Sequence, residues 1–149
     1  MIDIINFTKL MIDTAPFIYF IEEHEKYFPV IKPIFDKVDL REIEAVTSTI
    51  TLIEVLVHPV KLQNEDLEDK YLKILTNNAN LELISIGSSV AQKAARIRAQ
   101  YEIKTPDAAQ LACGILNGCD GFLTHDKALK KVKEILIITF DDLLTKNEA

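Results

Sequence analysis

The stretch "TPDAAQLACGILNGCDGFLTHDK" (residues 105–127) decides how the chain is built. Its first half carries the punctuation of a helix: Thr105 in the N-cap place, Pro106 at the first helical position, where a missing N–H is harmless, and Gly118 past the end. Its second half holds "GFLT", a short apolar run suited to a buried strand, with Asp126 two residues beyond it. A helix running straight into a buried strand is part of a β/α alternation. Both halves also set a carboxylate beside apolar neighbours, Asp107 in the Ala-rich helix and Asp126 after the strand. The same juxtaposition recurs at Asp13 in "LMIDTAPFIYF" (10–20) and at Glu54 in "TLIEVLVHP" (51–59).

Working outward, the alternation extends over most of the chain. A strand over Lys9 to Ile12 ends at Asp13, and Pro16 follows in the first turn of a helix. "HEKYFPVIKPIFDKV" (24–38) has helical apolar spacing, with a break or kink predicted at Pro29 to Pro33. A strand over Ala45 to Ser48 leads into the helix "TITLIEVLVHP" (49–59), closed by His58 and Pro59. An acidic, exposed helix (64–77), the strand "LELISI" (81–86) and the amphipathic helix "SSVAQKAARIRAQYE" (88–102) come next. After "GFLT", a helix over "KALKKV" separates it from a last strand, "ILIITF" (135–140). Alternation of this kind predicts an α/β fold: a three-layer α/β/α sandwich around a mostly parallel central sheet. With 149 residues, 48% of them hydrophobic, and no repeat or linker, one domain over 1–149 is expected.

Composition excludes several function classes. Cys113 and Cys119 have neither zinc nor redox spacing and read as free thiols of a reducing cytoplasm. The N-terminus has an acid at position 3 and no basic leader, and no run reaches the ~18 apolar residues of a membrane span, so a soluble cytoplasmic protein is expected. His24, His58 and His125 lack zinc spacing, and there is no Gly-rich phosphate loop, nucleophile elbow or Cys-His pair. The net charge of -6 is uneven: residues 1–75 hold 8 Lys and Arg against 14 Asp and Glu, and residues 76–149 hold 9 against 9. From Lys93 to Lys133, eight cations face only Glu102, Asp107, Asp120 and Asp126. That stretch reads either as solvated helix faces or as the border of a site that handles phosphate.

In parallel α/β sheets ligands sit at the carboxyl ends of the strands. Asp13 and Asp126 follow strands, and Glu54 and Asp107 lie near helix starts that face the same edge. Each acid alone also has a structural use: Asp13 and Asp126 as N-caps, Asp107 at the positive end of its helix, Thr51 with Glu54 as a capping box. Together they would repel one another unless a cation intervened. Carboxylate oxygens suit a hard divalent ion, Mg2+ or Mn2+, which keeps several waters and leaves room for a phosphate.

The segments "IDTAPFIYFIE", "STITLIEVLVHP", "TPDAAQLACGI" and "GFLTHDKALKKV" resemble, in order, the motifs of PIN-domain nucleases, most of all the VapC-type toxins of prokaryotic toxin-antitoxin pairs. The resemblance runs from about Lys9 to Phe140. It implies that the family's four acids fall on Asp13, Glu54, Asp107 and Asp126, and its hydroxyl on Thr124. It further implies metal-assisted hydrolysis of RNA, with Asp13 and Asp107 nearest the metal and Glu54 and Asp126 acting through water or a second ion. Thr14 and Thr124 would orient carboxylates or waters, and Arg96, Lys104, Lys127, Lys130 and Lys131 would grip the RNA backbone. A small antitoxin and a homodimer are the expected partners, with Phe17, Tyr19 and Phe20 in the core or dimer contact. Met11 is an alternative start to Met1. The rival expectation is a catalytically silent PIN-like scaffold that binds RNA or protein.

Overall fold

The computed structural model describes residues 6–148, with side chains through Leu144. Strands β1 (Lys9–Ile12), β2 (Glu44–Ser48), β3 (Leu81–Ile84), β4 (Gly121–Thr124) and β5 (Leu136–Thr139) form one sheet in the order β3-β2-β1-β4-β5. Every pairing is parallel, with Leu10 opposite Ala45 on one side and Gly121 on the other. Helices α1 (Thr14–Ile21), α2 (Phe28–Asp39), α3 (Thr49–Lys61), α4 (Glu65–Thr76), α5 (Ser88–Tyr101), α6 (Thr105–Leu116) and α7 (Phe140–Glu148) flank it.

Alternation along the strands sorts the core into two layers. Leu10, Ile12, Ala45, Leu123 and Ile138 pack against α1 to α4 and α7 through Phe17, Ile34, Val55, Tyr71 and Leu143. Met11, Val46, Phe122 and Ile137 pack on the other face against Val90 and Ile97 of α5 and Ala108, Leu111 and Ala112 of α6. Since strands β1, β2 and β4 are covered on both faces, burial runs along them without in-and-out alternation, and in β2 it takes in the polar Thr47 and Ser48. Helix α6 lies very close to the sheet: a Cβ on Gly114 would stand 2.8 Å from the Met11 Cβ. The fold is the three-layer α/β/α sandwich that the alternation predicts.

Helix ends differ from expectation. The cap of α3 is Ser48, whose hydroxyl accepts from the Ile50 N–H, so Thr51 lies inside the first turn and forms no capping box with Glu54. Helix α3 also runs past His58 and Pro59 to Lys61; Pro59 is buried, and the packing around it offsets one missing hydrogen bond. Thr105 is the first residue of α6 rather than its cap, which is Lys104. Helix α2 continues through Pro33, with Pro29 in its first turn; the interruption falls earlier, between Ile21 and Phe28. "KALKK" forms a 3-10 turn over Lys127–Lys131, and α7 is an element the strand-and-helix reading did not include. Met11 sits in the middle of β1, fully buried, so a chain begun there would lose half of a central strand; Met1 lies outside the described residues. The acidic helix α4 is not wholly exposed, because Tyr71 and Leu75 are buried. Phe17 is fully buried, while Tyr19 and Phe20 pack at the edge of the same cluster. Both cysteines are free; burial pushes the Cys113 thiol up to about 11 and that of Cys119 up to about 12, so neither is a reactive thiolate. No helix among the described residues is long and apolar enough to cross a membrane.

Candidate active site

The strand order reverses beside β1: the chain moves from β1 outward through β2 to β3, then returns to β4 on the other side of β1. At such a switch point the loops diverge and open a crevice at the carboxyl edge. Asp13 follows β1 and Asp126 follows β4, so the two flank that crevice. An open cavity of about 310 Å3 is lined there by Asp13, Ala15, Thr124, His125 and Asp126. Larger concavities of about 430 and 450 Å3 lie at the amino edge of the sheet, beside Lys9 and Glu44 and beside Asp120 and Leu136. They are set aside as the chemical centre because the mutually coupled acids described below are at the carboxyl edge.

Asp13 caps α1, its Oδ1 accepting from the Thr14 N–H at 2.9 Å and from Gln110 Nε2 at 3.2 Å. Its Oδ2 accepts from the Thr124 hydroxyl at 2.8 Å. Thr124 Oγ1 also accepts from the Asp126 N–H at 3.1 Å, which ties the loop after β4 to the end of β1. Asp126 caps the 3-10 turn through the Ala128 N–H, 2.9 Å away. On α3, the Glu54 Oε1 accepts from the Thr14 hydroxyl at 2.6 Å. Thus the cap readings of Asp13 and Asp126 hold as geometry, and both residues face the crevice as well.

The electrostatics show that the four acids share one field. The Asp107 carboxyl is pushed up to about 6, first by burial and then by the charges of Asp13, Asp126 and Glu54, while Lys104 opposes them. Asp13 is also raised, chiefly by the protein atoms crowding its carboxylate, against the lowering effect of its three donors. A cleft that accumulates negative charge in this way on carboxylate oxygens suits a hard divalent cation. Among the described residues, however, no three His, Cys, Asp or Glu side chains are gathered closely enough to hold a metal by themselves. The arrangement fits an ion held by one or two carboxylates plus water and phosphate, and does not form a four-carboxylate cage.

The model of the PIN domain family matches residues 10–135. The chain belongs to the PIN domain family. Among solved structures, this PIN domain is similar to VapBC2 from Rickettsia felis bound to promoter DNA, with 16% identity and a TM-score of 0.70 over 89% of this chain and 98% of that one. A toxin-antitoxin complex from Klebsiella pneumoniae matches at 22% identity and TM-score 0.68, with the same coverage. FitAcB from Neisseria gonorrhoeae matches at 14% identity and TM-score 0.68, again over 89% and 98%. No significant match is found among curated proteins.

The cations expected to border the cleft of this PIN domain divide into two groups. Lys127 is paired with Asp141, and Lys130 with Asp142 at 2.9 Å, so both are held by the start of α7. Arg96, Lys104 and Lys131 are exposed and form no ion pair among the described residues, and the charge of Lys104 is felt at Asp107. Several polar residues behind the acids have no site role in the sequence reading: Thr47, Ser48, Gln110 and Thr51, the last read only as a helix cap, all buried. Gln110 had one available signal, its i,i+3 spacing from Asp107, which sets both on one helix face. His125 also joins the site, in an aromatic cluster with Tyr19, Tyr27 and Phe140. His24 acts as a turn residue, its Nδ1 accepting from the Lys26 and Tyr27 N–H groups at 3.2 Å.

Proposed function

We propose that this PIN domain is a metal-dependent ribonuclease that hydrolyses RNA phosphodiester bonds and acts as the toxin of a type II toxin-antitoxin pair. The observation that carries the reading is that Asp107 feels the charges of Asp13, Asp126 and Glu54, while Asp13 and Asp126 flank the crevice between β1 and β4. Asp13 and Asp107 would hold Mg2+ or Mn2+ directly, with Glu54 and Asp126 reached through water. When bound, such an ion activates a water and offsets charge developing on the phosphate. The chain's own residues do the positioning: Thr124 holds Asp13 Oδ2 and the loop of Asp126, and Thr14 holds Glu54. Lys104, Arg96 and Lys131 are the free cations suited to backbone phosphates, which supply affinity rather than sequence choice. Lys127 and Lys130 join them only by leaving Asp141 and Asp142. A route through activated water has no need of the ribose 2'-hydroxyl, so products with 5'-phosphate and 3'-hydroxyl ends are expected.

The partner reading follows from the neighbours, which were solved as toxin-antitoxin assemblies. A small antitoxin with a basic side chain would complement the acidic cleft. A homodimer is proposed on the exposed apolar side chains of α3, Ile53, Val57 and Val60, which recur on one helix face.

In the deciding experiment, Asp13→Asn and Asp107→Asn are each assayed on single-stranded RNA with Mn2+. Each is expected to lower cleavage at least about 100-fold, the order of several kcal/mol of lost charge stabilisation. Undiminished cleavage in either variant, or cleavage surviving excess chelator, would remove the assignment. Among the described residues no three-ligand set is gathered, which favours a second reading, a silent PIN-like scaffold. Under that reading the wild type binds RNA but leaves it intact at saturating Mn2+.

A further inference from the structure

We propose that Gln110 is a positioning residue that fixes the direction of the Asp13 carboxylate and so prepares the cleft for a divalent cation, the cation half of the statement resting on the nuclease reading above. Gln110 is 1% exposed and stands on α6 one turn after Asp107, among Ala, Leu and Cys side chains. A primary amide in such surroundings is costly unless each of its polar atoms is matched. Here each one is. Nε2 gives one proton to Asp13 Oδ1 at 3.2 Å and the other to Thr51 Oγ1 at 2.6 Å, and Oε1 accepts from the Ser48 hydroxyl.

The neighbours leave this amide only one orientation. Ser48 Oγ accepts from the Ile50 N–H at 3.1 Å, and its single proton goes to Gln110. The Thr47 hydroxyl faces the Ile12 carbonyl at 2.7 Å and Thr51 Oγ1 at 2.8 Å, and Thr51 meets Gln110 as an acceptor. A flipped amide would set its oxygen against the Asp13 carboxylate oxygen and its N–H groups against the Ser48 hydroxyl that now donates to it. The hydrogen bonds from Ser48 through Gln110 therefore reach Asp13 on one branch and the threonine pair beside the Ile12 carbonyl on the other. They join the start of α1, the start of α3 and the first half of α6, which carry Asp13, Glu54 and Asp107. As an N-cap, Asp13 needs only the Thr14 N–H; the contact from Gln110 adds a fixed orientation. Partners that orient a ligating carboxylate are worth about 10- to 100-fold in metal affinity.

The test uses two variants of the full chain, Gln110→Leu, which removes the donors, and the isosteric Gln110→Glu, which replaces both N–H donors by an acceptor oxygen facing Asp13 and serves alone if the first does not fold. Mn2+ alone is titrated calorimetrically, and amide exchange is followed by NMR at Thr14, bonded to Asp13, relative to Leu67, bonded to Asn64 on the distant helix α4. The expected result is Mn2+ affinity weaker by about 10- to 100-fold, with faster Thr14 exchange relative to Leu67. Mn2+ affinity within twofold of wild type in a folded variant overturns the cation half. An unchanged Thr14 to Leu67 ratio overturns the positioning role, even if affinity falls, because Asp13 would not have been released. If the wild type binds no Mn2+ at millimolar concentration, the nuclease reading fails on its own, and the exchange ratio still decides whether Gln110 holds Asp13.

Discussion

Asp107 gathers the electrostatic conflict of the molecule at one atom group. Its carboxyl is raised to about 6, first by burial and then by Asp13, Asp126 and Glu54, against an ordinary value of 3.8. A raised folded-state value means that the folded chain holds a proton the unfolded chain has released between about pH 4 and pH 6. Stability of the metal-free protein therefore falls as pH rises through that window and recovers on acidification. Asp107→Asn removes the liability: at pH 7 without metal it is expected to raise stability by about 1 kcal/mol, discounted because the group is only half-buried, and to flatten the pH profile between 4 and 6. Urea unfolding at several pH values, with chelator present, measures both. A variant less stable than wild type at pH 7, with an unaltered slope, would show that Asp107 is held by partners rather than strained by its neighbours. This conflict was legible in the sequence because each acid stood beside a strand end or helix start with apolar residues around it. Gln110, Ser48, Thr47 and Thr51 were not legible, since single polar residues in helices and strands look alike until the chain folds and shows which of them share one buried network.

Elements were legible where the backbone chemistry is local, and misread where packing overrides it. β1 and β4 end at Ile12 and Thr124 as expected, because a carboxylate or hydroxyl marks each exit. Pro59 suggested a helix end because it cannot donate, yet α3 continues with Leu62 N–H bonding to the His58 carbonyl at 3.1 Å and Asn64 N–H to that of Pro59 at 2.9 Å. Propensity is a weak prior against a buried proline in a packed helix. Helix α7 hid because the apolar run of the last strand reads through Phe140, the helix's first residue, and the cap that starts it shows only when Asp142 is seen to accept from the Thr139 N–H and hydroxyl. Gly114 gives the same lesson as a prediction. In an isolated helix, Gly→Ala stabilises by about 1 kcal/mol. On α6 the added methyl would meet the Met11 Cβ at 2.8 Å, an atom that cannot swing away without moving β1. Overpacking costs about 1–3 kcal/mol, so Gly114→Ala is expected to lower the midpoint of thermal unfolding despite its better helix propensity. A higher midpoint would mean that α6 can slide off the sheet, contrary to the tight packing described for it.

At the scale of the whole molecule, alternation along the sequence was enough to give the sheet and its two covering layers, because a parallel strand pair needs a crossover and a crossover helix needs a face to cover. What it could not give is the outer surface, where Ile53, Val57 and Val60 leave 60%, 46% and 53% of their surface exposed on one side of α3. Their spacing of four and then three residues forms a stripe, and the acidic helix α4 packs beside α3 with Glu65, Asp66, Glu68 and Asp69. A two-fold contact through α3 would bury the stripe against itself and bring two acidic helices near each other. Apolar burial then drives association while like charges oppose it, and salt screens only the opposing term. The expected result in sedimentation velocity is a two-chain species at micromolar concentration that tightens between low and moderate ionic strength. Val57→Glu changes an exposed position, so folding stability should stay within about 0.5 kcal/mol, while the sedimenting mass shifts toward the 16.9 kDa single chain. A wild type that sediments as one chain would remove the homodimer, and a Val57→Glu variant with undiminished association would place the contact elsewhere. Association that weakens with salt would mean that charge pairs, and not the α3 stripe, hold the two copies together.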